Sequence, residues 1–270
     1  ILGQQGIRVL FVDRSSPTPL IMFYVMKHDL SYGMMVTASH NPAIYNGIKV
    51  FTKGGRDADE HQTADIERYL EQADKLYVPD LEENGQMPPH AYQELVKSGQ
   101  VVEMNPMNEY LDNIISLINL DAIRERDLRI AIDPMYGVSL TALCTILSIA
   151  RCTVETINAQ HDTLFGGKMP APTESTLRNL QNYVLDRYCD IGIATDGDAD
   201  RLGVIDDKGH YLHANTILVM LYYYLLKYRG WRGPAVRNLS TTHVLDKVAE
   251  SFGQKCYEVP VGFKYISAKM

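Results

Sequence analysis

The chain has 270 residues, with 26 Lys plus Arg against 33 Asp plus Glu, a formal charge of −7. That acidity argues against nucleic acid or an anionic membrane surface as partner, because both demand a basic face. With 46% hydrophobic and 22% charged residues the composition is that of an ordinary globular protein, which sets aside disordered, collagen-like and disulfide-scaffold classes. In chain order, apolar runs of strand length occur at Val9 to Val12, Gly33 to Val36 and Ile48 to Phe51. Between the first two, Leu20 to His28 reads as a helix entered by Pro17-Thr18-Pro19, where proline suits a first turn. The alternation resumes with a strand at Arg129 to Ile132, a helix at Ser139 to Ala150 and a strand at Thr153 to Ile157. A helix at Leu177 to Tyr188 and a buried strand at Asp190 to Ala194 follow. The last third predicts a strand at Leu202 to Ile205, a helix at Thr216 to Tyr228, a strand at Ala235 to Leu239 and a helix at Thr242 to Phe252. Strands alternating with helices predict layered α/β architecture with parallel or mixed sheets.

The polar stretch from Pro79 to Pro89 reads as a linker near the end of a first unit, Asn105-Pro106 as the start of a second, and a third opens near Gly209. Too few residues remain after Gly209 for a complete α/β domain of roughly 100 residues. Together with the start at Ile1, this reads as a piece of a longer polypeptide. The four cysteines form no C-x-x-C pair and predict reduced, mostly buried thiols. The longest apolar run, Ile217 to Leu226, falls short of the ~20 residues that cross a bilayer, and no signal peptide is evident, so a cytoplasmic location is the expectation.

Two segments carry chemistry. Met34-Met35-Val36 runs into Thr37-Ala38-Ser39-His40-Asn41-Pro42, placing Ser39 at a strand end, where α/β folds hold their ligands. A serine hydroxyl is a weak nucleophile and needs a base or prior modification; His40 and Lys49 are the candidate helpers. The competing reading is a surface turn held by local Ser and Asn hydrogen bonds. The second segment, Asp196-Gly197-Asp198-Ala199-Asp200-Arg201, sets three carboxylates at alternate positions, able to converge on a hard cation such as Mg²⁺ or Ca²⁺. An EF-hand fails because Arg201 stands where its glycine is required and strands, not helices, flank the loop. A solvated acidic turn capped by arginine is the bland alternative.

Together the segments resemble the phosphoserine loop and the metal-binding loop of the α-D-phosphohexomutase superfamily, the phosphoglucomutases and phosphomannomutases. Asn46-Gly47-Ile48-Lys49, Gly54-Gly55-Arg56-Asp57, Asp133-Pro134-Met135-Tyr136-Gly137 and Pro260-Val261-Gly262-Phe263-Lys264-Tyr265-Ile266 extend the resemblance across the chain in the family's order. It implies consecutive three-layer α/β/α domains with mixed sheets. These would be an N-terminally incomplete first domain over 1–103, a second over 104–208 and the start of a third over 209–270. The implied activity interconverts hexose 1-phosphate and hexose 6-phosphate, of glucose or mannose, through a phosphoserine and a hexose 1,6-bisphosphate that is both intermediate and activator.

In that scheme Ser39 carries the phosphoryl group, and one Mg²⁺ sits on Asp196, Asp198, Asp200 and a phosphoserine oxygen. Arg201 adds donors to the phosphoryl group, and Lys49 is the general acid or base, its pKa lowered by a neighbouring cation. His40 is second choice, or only orients the loop; Asn41 and Lys264 contact substrate. The family's sugar-reading loop and fourth domain have no counterpart here, so this stretch by itself is expected to be inactive. A phosphoserine-dependent phosphatase and a non-catalytic sugar-phosphate or metal-binding module are the alternatives. A shared metal would bring the Ser39 hydroxyl within roughly 4 to 7 Å of a carboxylate. Other conspicuous residues read as structural: Met34-Met35 as strand core, Tyr222-Tyr223-Tyr224 as helix core with an exposed edge, and His210 with His213 as lacking a third metal ligand.

Overall fold

The computed structural model describes residues 2–72 and 89–269, so the expected linker lies outside the described residues except for Pro89. The chain opens with β1 (Val9–Val12), α1 (Thr18–Lys27), β2 (Tyr32–Val36), β3 (Ile48–Thr52) and the two-residue β4 (Arg56–Asp57). Then come α2 (Glu60–Glu71), α3 (Pro89–Lys97), β5 (Val101–Met104), α4 (Met107–Leu117) and α5 (Leu120–Arg124). β1 and β5 pair in parallel, and β2, β3 and β4 form an antiparallel sheet. Helix α1 covers one face of that sheet, and Phe51 is fully buried there. On the other face Met34 is 51% and Val36 66% exposed. The expectation that Met34 is strand core is therefore corrected: strand alternation sends Gly33 toward Val25 of α1 and Met34 away from it.

The central region is a five-stranded mixed sheet, ordered β10-β9-β8-β6-β7. Its elements are β6 (Arg129–Asp133), α6 (Leu140–Ile149), β7 (Thr153–Thr156), α7 (Arg178–Asp186), β8 (Ile191–Thr195), β9 (Leu202–Asp206) and β10 (Tyr211–Leu212). β6 pairs in parallel with β7 and β8, whereas β8–β9 and β9–β10 are antiparallel. Four successive residues of β6, Ile130 to Asp133, are buried, as expected of a strand covered on both faces. Leu180 and Val184 of α7 pack with Leu177 on Ala131, Ala194 and Ile205. A second core joins Leu20 of α1, Met107 and Leu111 of α4, and Ala142 and Ile146 of α6. This shared core ties the serine-bearing region to the central sheet.

The last region holds α8 (Ala214–Lys227), β11 (Ala235–Asn238), α9 (Val244–Ser251), β12 (Cys256–Val259) and α10 (Phe263–Lys269), with β11 and β12 parallel. Tyr223 and Tyr224 form the exposed edge of α8, 37% and 38% exposed, and Leu226 is its buried residue. His213 caps α8 by accepting from the Asn215 N–H, and His210 pairs with Asp206 at 3.1 Å. All four cysteines are free; Cys189 is buried and the others half-buried. Among the described residues no helix is long and apolar enough to cross a membrane.

Candidate active site

Ser39 lies three residues beyond β2, in a loop that returns to β3. The Thr37 N–H donates to the Gly47 carbonyl at 3.0 Å and the Asn41 N–H to the Ala38 carbonyl at 3.0 Å, closing the loop. The Ser39 N–H donates to the Thr37 hydroxyl at 2.8 Å, holding Ser39 at φ 53°, a left-handed conformation that residues other than glycine rarely adopt. The turn leaves Ser39 half-buried.

The acidic loop leaves β8 at Thr195, whose hydroxyl donates to the Ser139 hydroxyl at 2.7 Å. Asp196 Oδ1 accepts from the backbone N–H groups of Asp200 and Arg201 at 2.9 and 3.0 Å, folding the loop around its first carboxylate. Two glycines let neighbouring segments approach this loop. A Cβ on Gly137 would lie 2.5 Å from the Gly197 carbonyl oxygen, and one on Gly197 would lie 2.9 Å from the Ser39 carbonyl oxygen. Both are contacts that a side chain cannot make without moving backbone.

The two loops meet directly. The Ser39 hydroxyl donates to Asp196 Oδ2 at 2.9 Å, across 157 residues of sequence and closer than the expected 4 to 7 Å. His40 Nδ1 lies 3.2 Å from the same hydroxyl. Lys49 Nζ donates to Asp198 Oδ2 at 2.8 Å and to Asp200 Oδ2 at 2.6 Å. Arg201 stands over Asp196 at 3.9 Å with its side chain half exposed. Ser39, His40, Lys49, Asp196, Asp198, Asp200 and Arg201 therefore share one place. Asn41 is exposed beside it, and Lys264 Nζ pairs instead with Glu60 at 2.7 Å, where Tyr265 also donates.

The cluster carries more negative charge than its cations neutralise. Burial pushes the Asp196 carboxyl up to about 7, and the charges of Asp200 and Asp198 add to the rise against the loop N–H donors and Ser39. Burial would also raise Asp198, but hydrogen bonds from Lys49 and Thr18 outweigh it and hold that carboxyl below its usual range. The expectation of a lowered Lys49 pKa is corrected. Burial pulls the ammonium down, yet Asp198 and Asp200 together leave it above the ordinary lysine value. His40 is lowered, first by burial and then by Arg201, which favours a neutral ring.

The residues fit a divalent cation. Ligand atoms of Asp196, Asp198 and Asp200 lie within 4.8 Å of one another, all are oxygens, and Asp198 Oδ1 is buried without a hydrogen-bond partner. A buried carboxylate oxygen lacking a donor is costly unless a cation supplies its charge. A hard, oxygen-only donor set suits Mg²⁺. Sequence reasoning missed Thr18 and Thr37, which both donate to Asp198 Oδ2. The available signal for Thr18 was the Pro17-Thr18-Pro19 helix start, whose hydroxyl acceptor lies 180 residues away in sequence.

Profiles of the phosphoglucomutase/phosphomannomutase alpha/beta/alpha domains match in order: domain I over residues 1–77, domain II over 108–209 and domain III over 213–270. The chain belongs to this family. It is 31% identical over 247 residues to a "Probable phosphoglucosamine mutase" of Pyrococcus abyssi, a match covering 92% of this chain and 50% of the relative. It is 27% identical over 247 residues to a "Phosphoglucomutase/phosphomannomutase" of Thermococcus kodakarensis, covering 92% and 51% respectively. The crystal structure of a "putative phosphomannomutase" from Thermus thermophilus superposes with a TM-score of 0.83 at 26% identity, over 99% of this chain and 57% of that one. The chain thus spans about half the length of the curated relatives it matches.

Proposed function

We propose that this chain supplies the phosphoserine and the metal carboxylates of a phosphohexomutase that interconverts hexose 1-phosphates and hexose 6-phosphates. The observation that carries the reading is the 2.9 Å contact between the Ser39 hydroxyl and Asp196, in a cluster whose Asp198 Oδ1 is buried and unpartnered. Relatives named for glucosamine, glucose and mannose phosphates match over the same stretch, so the proposal is made for the hexose phosphate class. The same reading divides the chain into domains over 1–103, 104–208 and 209–270, a division supported by the order of the matched domain profiles.

The chemistry is phosphoryl transfer in two halves. In the first, a free hydroxyl of the sugar monophosphate attacks the phosphorus on Ser39. The bond from phosphorus to Ser39 Oγ breaks, and a hexose 1,6-bisphosphate forms. In the second half the regenerated Ser39 hydroxyl takes the other phosphoryl group, so no phosphate is consumed. Mg²⁺ held by Asp196, Asp198, Asp200 and a phosphoserine oxygen would supply charge neutralisation at the phosphoryl group.

The side chains divide the remaining work by charge. Lys49, held as an ammonium by two carboxylates, suits the proton donor. His40, held neutral 3.2 Å from Ser39 Oγ, would take the Ser39 proton in the second half, once that hydroxyl turns from Asp196. Arg201 at the exposed rim offers paired donors to phosphoryl oxygens.

The test is treatment of that whole phosphohexomutase with glucose 1,6-bisphosphate, followed by peptide mass spectrometry. One added phosphoryl mass on the Ser39 peptide is expected, with Ser39→Ala reducing turnover by at least ~10³-fold. Phosphate found only on another residue of fully active enzyme would overturn the assignment. Steady release of inorganic phosphate in place of isomerised sugar would identify a phosphatase.

A further inference from the structure

We infer that Thr18, at the start of α1, is a positioning residue for the Asp198 carboxylate and thereby sets the metal affinity of a loop carried by another region of the chain. The inference rests on the reading of Asp198 as a metal ligand. Thr18 is 2% exposed and Asp198 is among the buried residues of its loop. Both donors of Thr18 go to this one aspartate: its backbone N–H to the Asp198 carbonyl at 2.9 Å and its hydroxyl to Asp198 Oδ2 at 2.8 Å.

The sequence around Thr18 explains why the contact is rigid. Proline at 17 and at 19 fixes φ on both sides, and neither has an N–H. Thr18 is thus the sole backbone donor of that tripeptide, and Asp198 caps it from outside the helix. Leu20, two residues on, is fully buried in the core shared with α4 and α6, which anchors the first turn. Asp198 Oδ2 also accepts from Thr37 at 3.2 Å and from Lys49 at 2.8 Å, so protein donors fill that oxygen. Oδ1 is left buried and without a partner. Thr18 fixes which oxygen is spent on the protein and which one remains for a cation. Partners of this kind orient ligating carboxylates, and their loss typically costs ~10–100-fold in metal affinity.

The experiment titrates Mn²⁺ into the purified wild-type protein, Thr18→Val and Thr18→Ser, reading free Mn²⁺ by electron paramagnetic resonance and the metal-induced rise in thermal midpoint. Thr18→Val keeps the shape and removes the hydroxyl; its Kd should rise ~10-fold or more, with a smaller midpoint shift. Thr18→Ser keeps the hydroxyl and should bind within ~3-fold of wild type. If circular dichroism shows Thr18→Val unfolded, Thr18→Ala replaces it with the same expectation. Wild-type binding with an unchanged Kd in the hydroxyl-free variant overturns the inference alone, as does a Thr18→Ser protein as weak as Thr18→Val. Failure of the wild-type protein to bind Mn²⁺ overturns the metal reading and the inference with it.

Discussion

Asp196 and Asp246 each have an arginine within 4 Å, yet their carboxyls move in opposite directions. Asp246 sits on α9 beside Arg237 of β11 at 2.8 Å, and hydrogen bonds from that guanidinium are the main cause that brings its carboxyl down to about 2. The Arg237 side chain is only 4% exposed, and each of its nitrogens has a partner: Nε on Asp246, Nη1 on Glu258 at 2.6 Å, Nη2 on Asp246 and His243. Around Asp196 the burial is reversed: there the carboxylates, not the cation, are the buried partners. Three carboxylates share one lysine and a half-exposed arginine at 3.9 Å, and one buried oxygen has no partner. A network whose buried guanidinium has a partner on every nitrogen is finished by the protein. A buried carboxylate oxygen without a donor leaves the network around Asp196 incomplete, and strongly perturbed carboxylates of this kind are candidates for functional sites.

Replacing one aspartate in each region tests that contrast most strongly. Asp196→Asn can keep the loop contacts, accepting from the Asp200 and Arg201 N–H groups and donating to Ser39. In calorimetry its Mg²⁺ affinity should nevertheless fall more than ~100-fold, beyond the usual cost of an outer partner. Without metal, at pH 8, the same variant should be more stable than wild type by ~1–3 kcal/mol, because a shift of one pKa unit corresponds to ~1.4 kcal/mol and part of the strain relaxes. A less stable Asp196→Asn protein would mean that the cluster is structural after all.

The Arg237 network should respond in the other sense. Arg237→Met leaves Asp246 and Glu258 without their cation, and urea unfolding should show a loss of roughly 2–3 kcal/mol, with metal affinity unchanged. Both remaining carboxylates are more than a third exposed and can hydrate, which keeps the loss below that of a fully buried pair.

How much of this was legible follows from how each signal is written in the chain. Ser39 and the three aspartates stand in contiguous stretches with strand residues before them, so their loops and chemistry could be read locally. Their convergence could be expected only from the family resemblance. Lys49 was found, but the direction of its pKa was missed, because the carboxylates that face it come from another loop. Thr18 carries no chemical signature of its own. Helix α2 went unread, although Asp59 and Gln62 form a capping box at its start, since few apolar residues mark its path. Short β4, β5, β10 and β12 depend on pairing partners, which a sequence read locally does not display.

A smaller effect sharpens the same comparison at the backbone. Gly137→Ala would drive a methyl to 2.5 Å from the Gly197 carbonyl oxygen, and the acidic loop must shift to admit it. A loss of ~1–3 kcal/mol is expected from such overpacking, together with a weaker metal-induced rise in thermal midpoint. Unchanged metal response would show that the loop does not depend on this close approach.

The smallest expected effect is a difference in how the two aspartates respond to pH, and the signs are opposite. Asp246 has a folded pKa below its unfolded value of ~3.9, so its contribution is present above that value and is lost as pH falls toward about 2. Asp246→Asn should therefore flatten the decline of the thermal midpoint between pH 4 and pH 2. Asp196 has a folded pKa raised to about 7, so the native state binds the extra proton and stability falls as pH rises from ~4 to ~7, then levels off. Asp196→Asn should remove that fall: its midpoint should match wild type near pH 4 and exceed it increasingly toward pH 7. Metal stabilisation of the wild-type protein should grow over the same interval, because a ligating carboxylate must lose its proton. Parallel curves for the two variants would erase the distinction between the network built on a fully partnered guanidinium and the one with an unpartnered buried oxygen.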